Sequence, residues 1–510
     1  MPLRAPATGA RLRELVAASQ VWALLGITAL AAVLRFATLD TQSFSADEAF
    51  TVGTVINGDL SHLLSVIAKN ESVPPTFPIL LSGWTEVFGD GEVGARSLSA
   101  LFGVATVPAA YAAGTELLSR RVGLIAAALV AVNPLLIWYS QEARPYALLA
   151  LAGTLSFWAF LRAASDPSWR RLGWWAAASA LAIGVHYFAV FLVAPEAAWL
   201  FIRYRRRRAA AVSFGAVAVI GAALAPLALQ QADERTTYIG SASLSSRVEE
   251  VPKQFLNGPF GTHSDLLAAS VVLVVVAGLA LGVARSDLSE RRRVLAPVLI
   301  GGAAVALPVA LAVAGADYLN ARNVIAAVPV LLLALAACFG APRLGRVGPA
   351  GAAVLCGLFL AVALAVPGDP TLQREDYRGM AAALGLPSVD RVVVAEPRAL
   401  DAFELYLRGA LPLPGSGGNV REVDVVAPVP RRGPGDEHPG RQATDPPPAG
   451  FEFVSRRDAD SFTLVRYRSR RPVRVYPRPL AALDFDKSSR FAAILVQAGP
   501  RHSSDLRLLK

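Results

Sequence analysis

Apolar runs of about bilayer length recur down the first two-thirds of this 510-residue chain, and nothing else in it constrains the fold as strongly. They lie at 20–37, 96–117, 122–137, 146–163, 172–188, 189–202, 209–229, 266–284, 294–314, 323–340 and 348–366. Each is close to the ~20 residues that a transmembrane helix requires. With 54% of its residues hydrophobic, the chain reads as a polytopic α-helical membrane protein of about eleven transmembrane helices.

The formal charge is +10, but the basic residues cluster between the apolar runs. The excess therefore reads as a topology signal and not as affinity for nucleic acid. With the N-terminus cytoplasmic, the inner loops carry Arg120-Arg121, Arg170-Arg171, Arg203 with Arg205 to Arg208, Arg291 to Arg293, and Arg343 with Arg346. The outer face then receives 38–95, the turn at 139–146, the loop 230–265, the turn 315–322 and everything after about 367. Arg4, Arg11 and Arg13 ahead of the first run mimic a signal peptide, but no small-residue cleavage site precedes Asp40, so an uncleaved first span is expected. Cys338 and Cys356 lie inside apolar runs, which argues against a disulfide framework. Arginine outnumbers lysine, and Ala, Gly and Pro are abundant, as in proteins of GC-rich bacteria. The expected location is a bacterial inner membrane.

The expected division is a transmembrane domain over 1–366, with outer loop 38–95, and a soluble extracytoplasmic α/β domain over 367–510. The latter has strand patterns at "RVVVAEP", "EVDVVAP" and "SFTLVRYRS" and a helix at "ALDAFELYLRG". Between 411 and 450 it is dense in Pro and Gly and reads as loop. The sequence carries no internal repeat, P-loop, dinucleotide fingerprint or metal-binding Cys/His cluster.

Polar residues other than arginine collect on the outer segments. In "SFSADEAF", Ser45 to Glu48 fit a capping box, while Asp47 and Glu48 place two carboxylates at the membrane edge. Both roles are compatible, since Glu48 can cap while Asp47 faces a substrate. "ESVPPTFPILLSGW" carries Pro74, Pro75 and Pro78 in an apolar stretch, which predicts a broken helix lying on the membrane. In "WYSQEARPYALL", Arg144 defies the inside bias; it snorkels to the headgroups or pairs with Glu142, or it holds a phosphate with its planar fork. "VHYFAVFL" puts His186 and Tyr187 at the outer end of a span, where packing and function are both open. "DYLNARN" adds Asp317, Tyr318 and a second outer exception, Arg322. Tyr146 lies beside Arg144 in the turn. These residues together predict a polar site at the outer boundary. Asp47, Glu48 and Glu71 could supply oxygen ligands to a divalent metal, though their spacing matches no ligand pattern.

The order of "SFSADEAF", "PPTFPILLSGW", "YSQEARPYALL", "HYF", "DYLNARN" and "QREDYRGMAAAL" resembles the bacterial branch of glycosyltransferase family 39. That is the membrane-embedded GT-C group that includes protein O-mannosyltransferases and the aminoarabinose transferases of lipid A. The resemblance covers about residues 20–410. It implies a GT-C fold and transfer of a sugar from a polyprenyl-phosphate carrier to a glycan, lipid or protein acceptor of the cell envelope. It also implies, by analogy, that Asp47 is the base that deprotonates the acceptor hydroxyl, with inversion. Arg144 and Arg322 become candidates for the charge that meets the leaving phosphate. Glu48 stays open as the base, since adjacent side chains on a helix diverge by about 100° and the phase is not fixed by sequence. Glu142, Tyr146, His186, Tyr187, Asp317 and Tyr318 would line the substrate pocket. One departure stands out: the aminoarabinose branch has a lysine before the first-loop proline, and Val73 precedes Pro74 here. Asp376 and Arg378 in "QREDYRG" read as solvated surface on a helix leading to the tail. The rival class is a transporter or lipid flippase, which would place ionisable groups at mid-membrane and show matched repeats; an inactive scaffold is a third reading.

Overall fold

The computed structural model describes residues 7–232, 243–429, 446–483 and 492–500. The chain divides into two compact units: one of 1–39 with 59–365, the other of 40–58 with everything from 366 onward.

The first unit is helical. Its elements are α1 (Ala7–Phe36), then, after the short α2 (Ala46–Phe50) of the other unit, α3 (Leu60–Asn70), α4 (Thr76–Phe88), α5 (Glu92–Leu117), α6 (Arg120–Val132), α7 (Pro134–Ser140), α8 (Tyr146–Ser165), α9 (Trp169–Val185) and α10 (Val190–Tyr204). They continue with α11 (Arg208–Ala232), α12 (Leu244–Asn257), α13 (Asp265–Arg285), α14 (Leu288–Val313), α15 (Ala327–Phe339) and α16 (Val347–Ala365). All eleven apolar runs are helical. Eight helices among the described residues are long and apolar enough to cross a membrane, and the bent pair α6 and α7 makes a ninth. The expected count of about eleven included α9 and α15, which at 17 and 13 residues fall short of that length. Large apolar side chains such as Trp22, Leu266 and Leu273 stand exposed on these helices, as expected where the solvent is lipid.

The 59° bend between α6 and α7 has a local cause. Pro134 has no N–H to donate and forces the preceding residue out of helix, and Asn133 is extended there while its side chain caps Leu136. The break frees carbonyls that lipid cannot satisfy. Arg35 of α1, fully buried, donates to Val130 and Ala131 carbonyls at 3.2 and 2.8 Å and to Ser140 Oγ at 3.2 Å. Gly103 lets α5 pass close by: a Cβ there would lie 2.0 Å from Ser140 Oγ. A second buried charge, Glu196 midway along α10, accepts from Ser156 Oγ at 2.6 Å and Trp175 Nε1 at 2.9 Å, tying α8, α9 and α10. Arg35 and Glu196 serve as helix clips, Arg35 through neighbouring carbonyls and Glu196 through Oε2.

The prolines of "ESVPPTFPILLSGW" do not break a helix. Pro75 is the N-cap of α4 and Pro78 lies in its first turn, where an N–H has no intrahelical partner anyway. They start the helix.

In the second unit α2 runs into a π-helical turn, Thr51–Val55. After residue 366 come α17 (Tyr377–Leu384), β1 (Arg391–Ala395), α18 (Ala399–Tyr406), β2 (Leu411–Pro412), β3 (Gly418–Pro428), β4 (Glu452–Asp458), β5 (Phe462–Val475), α19 (Pro477–Ala481) and β6 (Ala493–Gln497). Among the described residues six strands form one sheet in the order β2-β6-β1-β3-β5-β4, with β1 and β3 parallel and the other neighbours antiparallel. The expected strands and helix are present. The 411–450 stretch, read as loop, contains all of β3, whose Val420, Val423 and Val425 enter the core with Val392, Val394 and Tyr467; 430–445 lie outside the described residues. Arg391 and Asp424, both buried, and the half-buried Arg466 form an ionic ladder across β1, β3 and β5.

Candidate functional site

Chemistry-bearing groups gather in two places, one in each unit. The first is α2. Ser45 is extended (φ −66°, ψ 165°), its hydroxyl accepts the Glu48 N–H at 3.3 Å, and Glu48 Oε2 accepts the Ser45 N–H at 3.0 Å. The capping box read from the sequence is real. Glu48 is fully buried, with Oε2 also 3.9 Å from Arg374 Nε. Asp47, one residue before it, is exposed. Two neighbouring carboxylates thus have opposite environments, as the ~100° between successive helical side chains allows.

Segment 40–58 is anchored to its own unit by long-range bonds. The Phe44 N–H donates to Tyr406 Oη at 2.8 Å, Ser43 Oγ to the Glu375 carbonyl at 2.8 Å, and the Arg374 N–H to Gln42 Oε1 at 2.9 Å. Asp376 and Arg378 are more than surface: Asp376 caps α17 through the Gly379 N–H, and Arg378 donates to the Asp40 carbonyl at 2.7 Å.

The second place lies in the helical unit. Arg144, buried in the turn between α7 and α8, donates both terminal nitrogens to Glu71, at 2.6 and 3.0 Å. Glu142, one of the partners the sequence offered, is buried in the same turn and its carbonyl accepts the Arg144 N–H. Arg144 and Arg322 both lie near enough to His186 to act on its charge. His186 breaks the chain out of α9 in extended conformation, and Nδ1 accepts the Phe188 N–H at 3.3 Å. Its ring lies 5.9 Å from that of Tyr146, and the Arg322 guanidinium sits 5.7 Å above the Tyr146 ring. Phe188 bridges His186 to Tyr318, with centroids 5.1 and 5.4 Å apart.

Arg144, Tyr146, His186, Tyr318 and Arg322 are therefore brought together, from segments far apart in sequence. Tyr187 takes another direction, donating to Gln231 Oε1 at 2.9 Å, and Gln231 in turn holds the Ile67 carbonyl. Asp317 grips Arg247 of α12 through both carboxylate oxygens. Sequence reasoning missed Arg247 and treated Glu71 only as a metal ligand. Of the three oxygen donors offered for a metal, Glu71 is held by Arg144 and Glu48 by its cap and Arg374. Among the described residues no three His, Cys, Asp or Glu converge on a metal position.

The Arg247 guanidinium holds the Asp317 carboxyl below the usual carboxylate range. A lowered folded value means that the pair contributes fully above the unfolded carboxylate pKa, ~3.9, and loses its contribution as pH falls through the folded value. Hydrogen exchange, corrected for intrinsic rates, should show α12 equally protected between about pH 5 and 7 and less so below about 4. Asp317→Asn should lower that protection by about 1 kcal/mol at neutral pH and abolish its pH dependence.

Residues 72–229 match the sequence model of a family described as dolichyl-phosphate-mannose-protein mannosyltransferase. No curated protein matches the chain by sequence. Among solved structures, the chain is similar to ArnT from Cupriavidus metallidurans in the apo state, with 14% identity and a TM-score of 0.56, over 88% of this chain and 98% of that one. ArnT from the same organism bound to undecaprenyl phosphate is matched with 14% identity and a TM-score of 0.54, over 87% and 97%. At such identity the likeness is one of fold. It makes the chain a multi-pass membrane protein of the GT-C fold with a C-terminal α/β domain, and with the family match it bears out the resemblance read from the motifs.

Proposed function

We propose that this chain is a polyprenyl-phosphate-sugar-dependent glycosyltransferase, moving mannose or an arabinose-like sugar to a cell-envelope acceptor outside the cytoplasm. The observation that carries the reading is the fold: ArnT, which shares it, holds undecaprenyl phosphate. A chain with that fold and an arginine-bearing polar cluster in its helical unit is suited to a lipid phosphate.

Asp47 is assigned as the base because it is the exposed member of the pair. It takes the proton of the acceptor hydroxyl as that oxygen bonds to the anomeric carbon; the bond from that carbon to the phosphate oxygen breaks, and polyprenyl phosphate leaves with the electron pair. Attack opposite the leaving group inverts the anomeric centre. Arg322 is assigned to the departing phosphate, with Arg144 beside it. Arg144 carries less of this work, because its fork is already matched to Glu71.

Radiolabelled transfer from polyprenyl-phosphate-mannose, and from a panel of other lipid-linked sugars, tests the reading in membranes expressing wild type or Arg322→Ala. Wild type should make a labelled acceptor, and Arg322→Ala should be about 10²-fold slower, the loss typical of one donor to a developing oxyanion. A wild type that moves the lipid across the bilayer while forming no glycosidic bond would establish the flippase rival instead.

A further inference from the structure

Strand β5 outlasts its outer neighbour. β4 pairs with β5 as far as Arg468, while β5 runs on to Val475, held on its other side by β3 at Val473, Arg474 and Val475. Among the described residues, 469–475 therefore border an open edge. Four arginines, Arg470, Arg471, Arg474 and Arg478, stand exposed along this edge and the turn that follows it. Successive side chains of a strand point to opposite faces, so a flat surface laid against the edge meets guanidiniums from both. Arg421, exposed in the β3 bulge, adds a fifth and donates to the Arg470 carbonyl at 3.0 Å.

This charge is not answered within the fold. Arg474 donates to the Ser416 carbonyl at 2.9 Å, and among the described residues the side chains of Arg470, Arg471 and Arg478 form no hydrogen bond or ion pair. The stretches that build this end of the sheet, 411–421, 446–451 and 469–483, contain no Asp or Glu. Of the carboxylates at its border, Glu422 holds Arg466 and Arg468, Asp390 accepts the Gly499 N–H, and Glu452 stands on β4 across from Arg468. Native edges are blunted against strand addition by a proline or a charge, and Pro472 already supplies that. Four unneutralised cations beside it exceed the need, and the proline argues against an extended peptide as their occupant.

We infer that this basic edge docks on anionic phospholipid headgroups of the bilayer that the helical unit spans. The spans ending at Phe36 and Gly368 run into the second unit, which begins at 40 and resumes at 366. That tether keeps headgroups at a high effective concentration around it. The planar fork of arginine matches a lipid phosphate, and each basic residue near an anionic surface adds attraction. Tyr476 is exposed, with the Arg474 guanidinium 5.9 Å over its ring, and tyrosine is enriched at headgroup level. The inference needs the membrane-spanning helices and not the transferase reading. Where that reading also holds, docking fixes the unit that carries Asp47 against the bilayer that anchors its lipid-linked donor.

The test is hydrogen exchange on the full-length protein in nanodiscs of neutral phosphatidylcholine or of an equal mixture with phosphatidylglycerol. Amides of 469–478 should exchange at least tenfold more slowly in the mixed discs, and the slowing should vanish at about 1 M salt, where the Debye length is about 3 Å. Amides of β1 and β6, inside the sheet, should match in the two discs and report that the unit stays folded. Arg470→Glu with Arg471→Glu should abolish the slowing at unchanged melting temperature, since neither side chain bonds within the fold. Arg471→Gln with Arg478→Gln, which removes charge without reversing it, should abolish part of the slowing, and Arg457→Glu on β4 should retain at least half of it. Equal exchange in the two discs, slowing that survives salt, or slowing that survives the double reversal in a folded unit would overturn the inference. Equal slowing by polygalacturonate in neutral discs would also overturn it, reassigning the edge to a soluble polyanion.

Discussion

Asp47→Asn should lower the rate of sugar transfer by about 10²–10⁴-fold, the range associated with removal of a positioned general base, while yield and melting temperature stay at wild-type values. The second half of that expectation follows from geometry. The first turn of α2 is capped by Ser45 and Glu48, so the Asp47 side chain is not needed for the cap. Replacing it by its isostere removes a favourable charge at a helix N-terminus, worth about 0.3–1 kcal/mol. Glu48→Gln should do the reverse. Glutamine still serves a capping box, but it leaves the Arg374 guanidinium, itself buried, without its opposing charge. A broken buried pair costs about 3–5 kcal/mol, and at 3.9 Å this one belongs at the lower end. Transfer by the protein that remains folded should fall only severalfold. If both variants lose activity in proportion to lost stability, α2 is a structural element and the base lies elsewhere. If Glu48→Gln alone loses activity while remaining stable, the two assignments exchange.

That pair illustrates what a sequence can disclose about such a molecule. The capping box was legible because its bonds span three residues, and the spans because lipid selects for length and apolarity alone. Partner choice was not. Arg144 reaches Glu71, 73 positions away, and Arg247 finds Asp317 across 70. Such pairings are set by which helices pack together, and no local pattern records them. Arg35 carried no local signal of its own. The Asn133-Pro134 break in a neighbouring span was the available signal, because freed carbonyls in a bilayer demand a donor. The same limit hid the allegiance of 40–58, which reads as an outer loop of the membrane domain yet bonds to Tyr406 and Glu375 and joins the C-terminal unit.

Glu71→Ala should destabilise the helical unit by about 3–5 kcal/mol, more than any other single substitution considered for it. Both partners of the Glu71–Arg144 pair are buried, with side-chain exposures of 5% and 10%, and the contact is bidentate. Removing the carboxylate takes the bidentate acceptor away from a buried guanidinium. Arg144→Leu should cost less, because a leucine replaces the charge with apolar volume, although Glu71 is then stranded. The double variant Glu71→Ala with Arg144→Leu should recover part of the loss, with a coupling energy in the upper part of the roughly 0.5–3 kcal/mol range of contacting residues. Thermal unfolding in detergent, followed through the helical signal, measures all four corners of the cycle. An additive result would mean that the pair contributes nothing as a pair, and that Arg144 finds solvation from its other neighbours. A strongly coupled result would assign the pair a structural role: Glu71 fixes Arg144, Arg144 fixes the turn that carries Tyr146, and the Tyr146 ring lies beneath the Arg322 guanidinium. Transfer by the double variant then separates the two roles of Arg144. Activity near wild type in the stable fraction leaves the phosphate to Arg322 alone, whereas a further loss on the scale of Arg322→Ala makes Arg144 a second phosphate contact.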